Sequence, residues 1–142
     1  MPDPITYRDN EPIDAPTFAD VLRRSTLGER RPVDDPQCMR GMVEHADITT
    51  TAWAGSHCIG VSRTVTDFHY AAYLSDLAVD EQWQGKGIGI ELINRTRAQL
   101  GPRCNIILLA APAAEEYYPR IGFQHRPQGW VLRPTDPFPP QR

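Results

Sequence analysis

The segment with the clearest chemical potential is Gln82-Trp83-Gln84-Gly85-Lys86-Gly87-Ile88-Gly89. Glycines at alternate positions let successive backbone N–H groups point into one concavity. A helix predicted to begin at Ile88 adds the positive end of its dipole, about half a charge. Lys86 adds a mobile positive charge at the rim. This combination suits a phosphate or pyrophosphate group.

Two well-known phosphate loops do not fit this segment. The Walker loop requires Ser or Thr after its lysine, and Gly87 follows Lys86. The dinucleotide-binding fingerprint requires a third glycine where Ile90 stands. A nucleotide-binding enzyme that uses ATP or NAD is therefore a poor alternative. The second alternative is a glycine-rich turn that binds no ligand.

The elements on either side would position the loop. The apolar run Tyr70–Val79 predicts a covered strand before it. Leu92, Ile93 and Thr96 share one face of a predicted helix over Ile88–Leu100. A second buried strand is predicted over Asn105–Ala111. A strand, a helix and a strand of this length form a crossover with two parallel strands.

The rest of the chain predicts a single mixed sheet with helices, an α/β (α+β) fold. Local patterning and capping residues place the other elements as follows: a short strand Ile5–Tyr7, a helix Ala15–Arg24 capped by Asp14, a helix from Asp35-Pro36 to about His45, hairpin strands Ile48–Ala54 and His57–Thr66, a short helix Pro112–Arg120, and a last strand Trp130–Leu132. We expect one domain over residues 1–133. The proline-rich tail over residues 134–142 is predicted to be extended or disordered.

Composition excludes several classes of protein. The net charge of −3 disfavours a general nucleic-acid-binding surface. There is no apolar run of about 18 residues, as a membrane span requires, and no recognisable secretory signal at the N-terminus. An odd number of cysteines without paired spacing favours reduced thiols in a cytoplasmic protein, at Cys38, Cys58 and Cys104. The histidines show no metal-ligand spacing, so no metal is predicted.

Two motifs together carry a family resemblance. Gln82-x-x-Gly85-x-Gly87 resembles the Q/R-x-x-G-x-G/A loop of the GNAT superfamily of N-acetyltransferases. About 40 residues on, Tyr117-Tyr118-Pro119-Arg120-Ile121-Gly122-Phe123 resembles the family's aromatic-Tyr-x-(Lys/Arg)-x-Gly-Phe segment, and Ala114 matches the alanine before it. The resemblance is strongest from about residue 70 to residue 123, and it extends back to Ile48, where the predicted hairpin fits the family's second and third strands.

The resemblance implies a sheet splayed between its fourth and fifth strands, about four flanking helices, and acetyl-CoA in the opening. The backbone of Leu77, Ala78 and Val79 would pair with the pantetheine arm. Ala114 would pack near the cofactor, and Tyr118 would protonate the departing CoA thiolate. The N–H groups that would hold the pyrophosphate belong to Gln84, Gly85, Lys86, Gly87, Ile88 and Gly89.

The base that accepts the amine proton is left open. In several relatives it lies two or four residues before the position of Leu77, and these positions are Ser75 and Tyr73 here. Asp76 is the acid within the apolar run, and it needs hydrogen-bond partners if buried. We expect a structural role for Asp76, with a base or substrate contact as the alternative. Pro119 and Ala111 depart from the family pattern.

The resemblance implies an acetyl-CoA-dependent N-acetyltransferase in which a primary amine attacks the thioester directly in a ternary complex. We expect a small-molecule acceptor. The resemblance makes a homodimer possible, because homodimers are common in the family, and the oligomeric state is left open. The alternatives are a non-catalytic acyl-CoA-binding or regulatory module, and a protein lysine or N-terminal acetyltransferase. Four arginines cluster around the link between the first two helices: Arg23, Arg24, Arg30 and Arg31. One interpretation is that they recognise a carboxylate or phosphate on the acceptor. We prefer the other, that they belong to a solvated loop.

Overall fold

A five-stranded mixed sheet organises the chain in the computed structural model, which describes residues 4–140. The strands are adjacent in chain order: β1 (Ile5–Asp9), β2 (Ile48–Ala54), β3 (His57–Thr66), β4 (Ala71–Val79) and β5 (Asn105–Ile107). The first four pair antiparallel, and β4 pairs with β5 in parallel. The predicted mixed sheet is thereby confirmed.

Helix boundaries follow local signals. Helix α1 (Ala15–Arg24) begins where the Asp14 carboxylate accepts the N–H of Thr17 at 2.8 Å. Helix α2 (Pro36–Glu44) begins in the same way at Asp35, whose carboxylate accepts the N–H of Cys38 at 3.1 Å. Side-chain oxygens at this position satisfy amide groups that lack an intrahelical acceptor.

Helix α3 (Ile88–Arg97) crosses from β4 to β5 and ends three residues before the predicted Leu100. It packs Ile88 and Leu92 against Ala52 and Ile59. Helices α1 and α2 pack with Val61 and Ala78 in a separate cluster: Phe18, Ala19, Val21, Leu22 and Met39. Because neighbouring side chains on a strand point to opposite faces, α1 and α3 cover opposite faces of the sheet.

Two irregularities shape β4. Its pairing with β5 covers three positions and ends at Tyr73 and Ile107, so the sheet opens beyond that point. Toward β3, Arg63 pairs with Asp76 and Thr64 pairs with Leu74, which leaves Ser75 as the extra residue of a β-bulge. These features match the expected separation of the fourth and fifth strands.

The predicted buried strand over Asn105–Ala111 is longer than the observed strand β5. Only residues 105–107 pair, and Ile107 and Leu109 are more than half exposed. Residues beyond Ile107 have no ladder on β4, because the two strands diverge. Apolar composition alone therefore overstated both the length and the burial of β5.

The chain divides into two compact units, and the second begins at Pro112. It contains a short 3₁₀ turn (Pro112–Ala114) and helix α4 (Tyr117–Arg120), where the sequence predicts a single helix.

The strand predicted over residues 130–132 is not formed, and Trp130 is 92% exposed. A strand needs a partner for its backbone groups, and none pairs here within residues 4–140. The tail over residues 134–140 has no helix or strand, and residues 141–142 lie outside the described chain.

Candidate active site

The glycine-rich loop leads directly into α3 and presents unbonded amides. Gly85 and Gly87 have φ of +78° and +81°, a region that glycine adopts without strain. Gly87 caps α3 without any side-chain hydrogen bond. The first intrahelical bond here runs from Glu91 N–H to Gly87 O. The amides of residues 88–90 therefore have no acceptor within the described chain and are available to an anion.

The space in front of the loop is open. A Cβ atom added at Gly85 or Gly87 would meet no atom within 4 Å. Lys86 is exposed at the rim, while Trp83 packs partly buried against the core cluster that contains Ile88 and Leu92 of α3. The loop is thus shaped by backbone conformation, and an anion can approach it without displacing a side chain.

Buried electrostatic contacts anchor the start of the loop. Asp80 follows β4 and accepts the N–H of Gln82 at 2.9 Å. Its carboxylate also binds the Arg24 guanidinium, which in turn donates to the carbonyl of Cys58 at 2.6 Å. Arg24 therefore ties the loop to α1 and β3, and its charge is neutralised by Asp80 and Asp20.

The outer edge of β4 offers backbone groups to a ligand. Asp80 N–H bonds to Ile59 O on β3, at 2.8 Å. Because amides alternate in direction along an antiparallel strand, the backbone groups of Leu77 and Val79 face the opposite, open edge. The Val79 carbonyl there accepts the side-chain amide of Gln84 at 3.0 Å. Ala78 faces the core instead and is buried.

Asp76 lies at the centre of a buried ionic network. Its side chain is fully buried, and each carboxylate oxygen accepts from one guanidinium, at 2.5 Å from both Arg31 Nε and Arg63 Nε. Arg31 also donates to the carbonyl of Ser75, and Arg63 to the hydroxyl of Ser75, each at 2.7 Å. The carboxylate thereby holds the loop after α1 against the bulge of β4.

A small cavity lies against β4 where β5 departs. Its volume is about 200 Å³, and it is lined by Leu27, Arg30, Arg31, Tyr73, Ser75 and residues 109–111. The bulge places the Ser75 hydroxyl on the same side of the sheet as the Arg63 side chain. A larger cavity, of about 280 Å³, lies near Asn10 and Glu44 and shares no residue with β4 or the glycine-rich loop.

The four arginines singled out from the sequence do different things. Arg24 and Arg31 are held by buried carboxylates, and Arg23 binds exposed Asp34 at 3.1 Å. Arg30 is exposed, and its guanidinium has no hydrogen bond or ion pair among residues 4–140. The expectation of a solvated loop thus describes Arg23 but misses the internal ion pairs.

Tyr118 and Ala114 belong to the second compact unit, which is described by itself. The Tyr118 ring meets those of Tyr117 and Phe123 edge-on, with centroids 5.2 and 5.3 Å apart. The Tyr118 carbonyl accepts the N–H of Phe123 at 3.0 Å. Burial raises the pKa of Tyr117. Helix α4 has only four residues, consistent with a shortening effect of Pro119.

Sequence reasoning missed Arg63, the more buried partner of Asp76. An arginine within a strand of apolar and hydroxylic residues was the available signal, because such a charge needs a buried counter-ion. No group of three His, Cys, Asp or Glu side chains within residues 4–140 is arranged to hold a metal ion. None of the helices in that range is long and apolar enough to cross a membrane.

The chain is similar to known acetyltransferases. Residues 46–125 match the family model described as the acetyltransferase (GNAT) domain. The chain is 36% identical over 73 residues to histone acetyltransferase TAP1 from Glycine max, covering 50% of this chain and 32% of that protein. The chain thus spans about a third of the length of that relative.

Two solved structures show the same fold. GNAT family protein SP0256 from Streptococcus pneumoniae superposes with a TM-score of 0.73 at 18% identity, over 92% of this chain and 99% of that one. A predicted acetyltransferase from Clostridium acetobutylicum, solved with acetyl-CoA, gives 0.69 at 15% identity, over 92% and 96% of the two chains.

Proposed function

Because the chain belongs to the GNAT family of acetyltransferases, we propose that it transfers the acetyl group of acetyl-CoA to the primary amine of a small molecule. The observation that carries this proposal is the loop before α3, where unbonded amides at a helix N-terminus adjoin the open edge of β4. A pyrophosphate suits the amides, and an extended amide-containing arm suits the edge. The backbones of residues 84–89 and of Leu77 and Val79 are the proposed contacts, with Ala78 placing them.

In the proposed reaction both substrates bind together. Acetyl-CoA supplies an activated acetyl thioester. The amine nitrogen forms a bond to the acetyl carbon, the carbon–sulfur bond breaks, and CoA leaves as a thiolate. The resemblance assigns the proton for that thiolate to the Tyr118 hydroxyl, a general-acid contribution of about 10²- to 10⁴-fold. Ala114 is proposed to pack against the cofactor.

The amine must lose a proton before or during attack, because a free amine of pKa about 10.4 is mostly protonated at neutral pH. Both oxygens of Asp76 already accept from arginines, which favours a positioning role for it. The Ser75 hydroxyl lines the cavity and accepts from Arg63, so its own proton remains free to orient a water. We assign the proton path to such a water beside Ser75 and Tyr73.

The alternative acceptor is a protein amine, either a lysine or an N-terminus. The similarity to a plant protein described as a histone acetyltransferase favours it, over half of this chain. A cavity of about 200 Å³ favours a small acceptor, because pockets for drug-sized ligands measure about 300–1,000 Å³.

We further propose a cellular compartment and an oligomeric state for the enzyme. Three unpaired cysteines favour a reducing compartment such as the cytoplasm. A homodimer is proposed from the family resemblance alone. Sedimentation of the purified chain measures its oligomeric state.

Calorimetric titration with acetyl-CoA tests the proposal first. We expect micromolar binding by the wild type. Gly87→Glu should weaken it at least about tenfold, because it places a carboxylate beside the pyrophosphate and forces a side chain into φ of +81°. Gly41→Glu is the matched control, since a Cβ there meets nothing within 4 Å and Gly41 lies in α2. Equal binding by all three proteins, or none by the wild type, would refute the proposed site.

Turnover is measured by thiol release with an amine panel. Tyr118→Phe should keep acetyl-CoA affinity and lower turnover. Unchanged turnover would remove the assignment of Tyr118 as the acid. Tight acetyl-CoA binding without turnover of any amine or peptide would favour the non-catalytic acyl-CoA-binding module instead.

A further inference from the structure

The cavity beside β4 is positively charged. Among the described residues that line it, Arg30 and Arg31 are the ones charged at neutral pH, and none is an Asp or Glu. Asp76 lies beneath, but its side chain is 0% exposed and faces two guanidiniums. The buried network therefore carries two positive charges against one negative charge, and the cavity presents no carboxylate to a ligand.

Arg30 is the lining arginine whose guanidinium has no partner within the described residues, whereas Arg31 is held in place by its own hydrogen bonds. All three nitrogens of Arg31 are used: Nε by Asp76, Nη2 by the Ser75 carbonyl and Nη1 by the Arg30 carbonyl. Arg30 is exposed and has no side-chain partner within the described residues. Its guanidinium stands at a cavity that also contains the Ser75 hydroxyl and the apolar side chains of Leu27 and Leu109.

We propose that the acceptor is a small amine that also carries a carboxylate, and that Arg30 binds this carboxylate. This inference rests on the proposed acetyltransferase function and names its substrate class. The planar guanidinium matches a carboxylate with two parallel N–H···O bonds. Fixed Arg31 adds positive potential, and the amine of the same molecule remains to attack the thioester.

The same charge distribution disfavours polycationic acceptors. Polyamines, aminoglycosides and lysine-rich peptides need exposed carboxylates to bind their ammonium groups, and the cavity lining includes none from residues 4–140. Like charges placed together in a partly closed cavity oppose binding. The small volume also favours an acceptor of amino-acid size.

The experiment compares matched pairs of acceptors. The panel contains amino acids with a remote amine, such as 5-aminopentanoate, with their carboxamides, and also spermidine, kanamycin and a lysine-rich peptide. Thiol release gives kcat/KM, and thermal shift in the presence of CoA gives binding of each non-reacting compound. Wild type should favour acids over amides by about 5-fold, the upper value for a charge pair at an exposed guanidinium.

Variants of Arg30 locate that preference. Arg30→Gln should reduce the ratio of acid to amide to about one, mainly through KM, and Arg30→Glu should turn the preference toward spermidine. Arg40→Gln is the matched control, because Arg40 is an exposed arginine of α2 outside the cavity. It should leave the ratio unchanged. Both residues are exposed, so the variants are expected to fold.

Other results overturn the proposal in distinguishable ways. If amides or polycations are acetylated as efficiently as acids, Arg30 is excluded as the anion site. The same holds if the preference for acids over amides persists in Arg30→Gln. Weaker acetyl-CoA binding in Arg30→Gln would assign this arginine to the cofactor. If acetyl-CoA binds but no acid is acetylated or bound, the inference fails while the cofactor site stands. Failure of acetyl-CoA to bind would remove the proposed function itself.

Discussion

Asp76→Asn should destabilise the protein strongly. The substitution keeps the shape and one acceptor oxygen but removes the charge that compensates Arg31 and Arg63, whose side chains are 21% and 10% exposed. Breaking a buried ion pair by changing one partner costs about 3–5 kcal/mol. We expect about 3 kcal/mol, because the remaining oxygen still accepts from one guanidinium. Whole domains are stable by only about 5–15 kcal/mol.

Urea unfolding measures this loss. With a slope of about 2 kcal/mol per molar, the midpoint should fall by about 1.5 M. Asp34→Asn is the matched control, because Asp34 also binds an arginine, at 3.1 Å, but its side chain is 95% exposed. Its midpoint should not move measurably, as is usual for exposed pairs. A double-mutant cycle with Arg63→Met should give a coupling of about 1–3 kcal/mol.

The same variant separates a structural role from a chemical one. An Asp76→Asn protein that unfolds at the wild-type midpoint, yet releases no thiol with an active acceptor, would refute the ionic-network argument. Asp76 would then act on the substrate. Loss of stability with turnover retained below the unfolding transition would exclude Asp76 as the essential base.

Two further predictions concern other parts of the fold. The Asp67 carboxylate accepts the N–H groups of Tyr70, His69 and Ala71 at 2.8–3.2 Å, and these bonds lower its pKa. Its contribution to stability is therefore complete above the unfolded value of about 3.9 and lost as pH falls through the lower folded value. The Tm of the wild type should fall more steeply below about pH 4 than that of Asp67→Asn; parallel curves would contradict this. Gly60→Val should cost about 1–3 kcal/mol in urea unfolding and weaken acetyl-CoA binding, because a Cβ there lies 3.3 Å from side chains at the start of α3. If Gly60→Val unfolds at the wild-type urea midpoint, the side chains of α3 move aside without cost, which would contradict this expectation.

Local features of the chain predicted much of the fold correctly. Strands β2 and β3 have the predicted boundaries, and both Asp-capped helices begin where expected. Capping, proline at the first helical position and β-branched runs act within a few residues, so they can be read from neighbouring letters. The spacing of glycines likewise predicted a loop directly before a helix, and the structure has that loop before α3; its role in binding stays a prediction. The single domain over residues 1–133 stays a prediction.

Features that depend on distant residues could not be predicted in this way. Asp76 is 45 residues from Arg31 and 13 from Arg63, so its role as the centre of a buried network emerged only when β3, β4 and the loop after α1 came together. The short β5 and the missing strand over residues 130–132 have the same origin, because pairing requires a second backbone at hydrogen-bond distance.

The sequence by itself determined the hairpin strands, the capped helix starts and the glycine-rich loop before α3, because these depend on backbone preferences and contacts within one or two turns of chain. The tertiary structure alone decided which charges are neutralised and which remain available. Arg30 and Arg31 are adjacent in the sequence, yet Arg31 is held by a buried carboxylate and Arg30 lies at a cavity without a side-chain partner among residues 4–140. Electrostatic pairing depends on distance in space, and adjacent letters do not contain that distance.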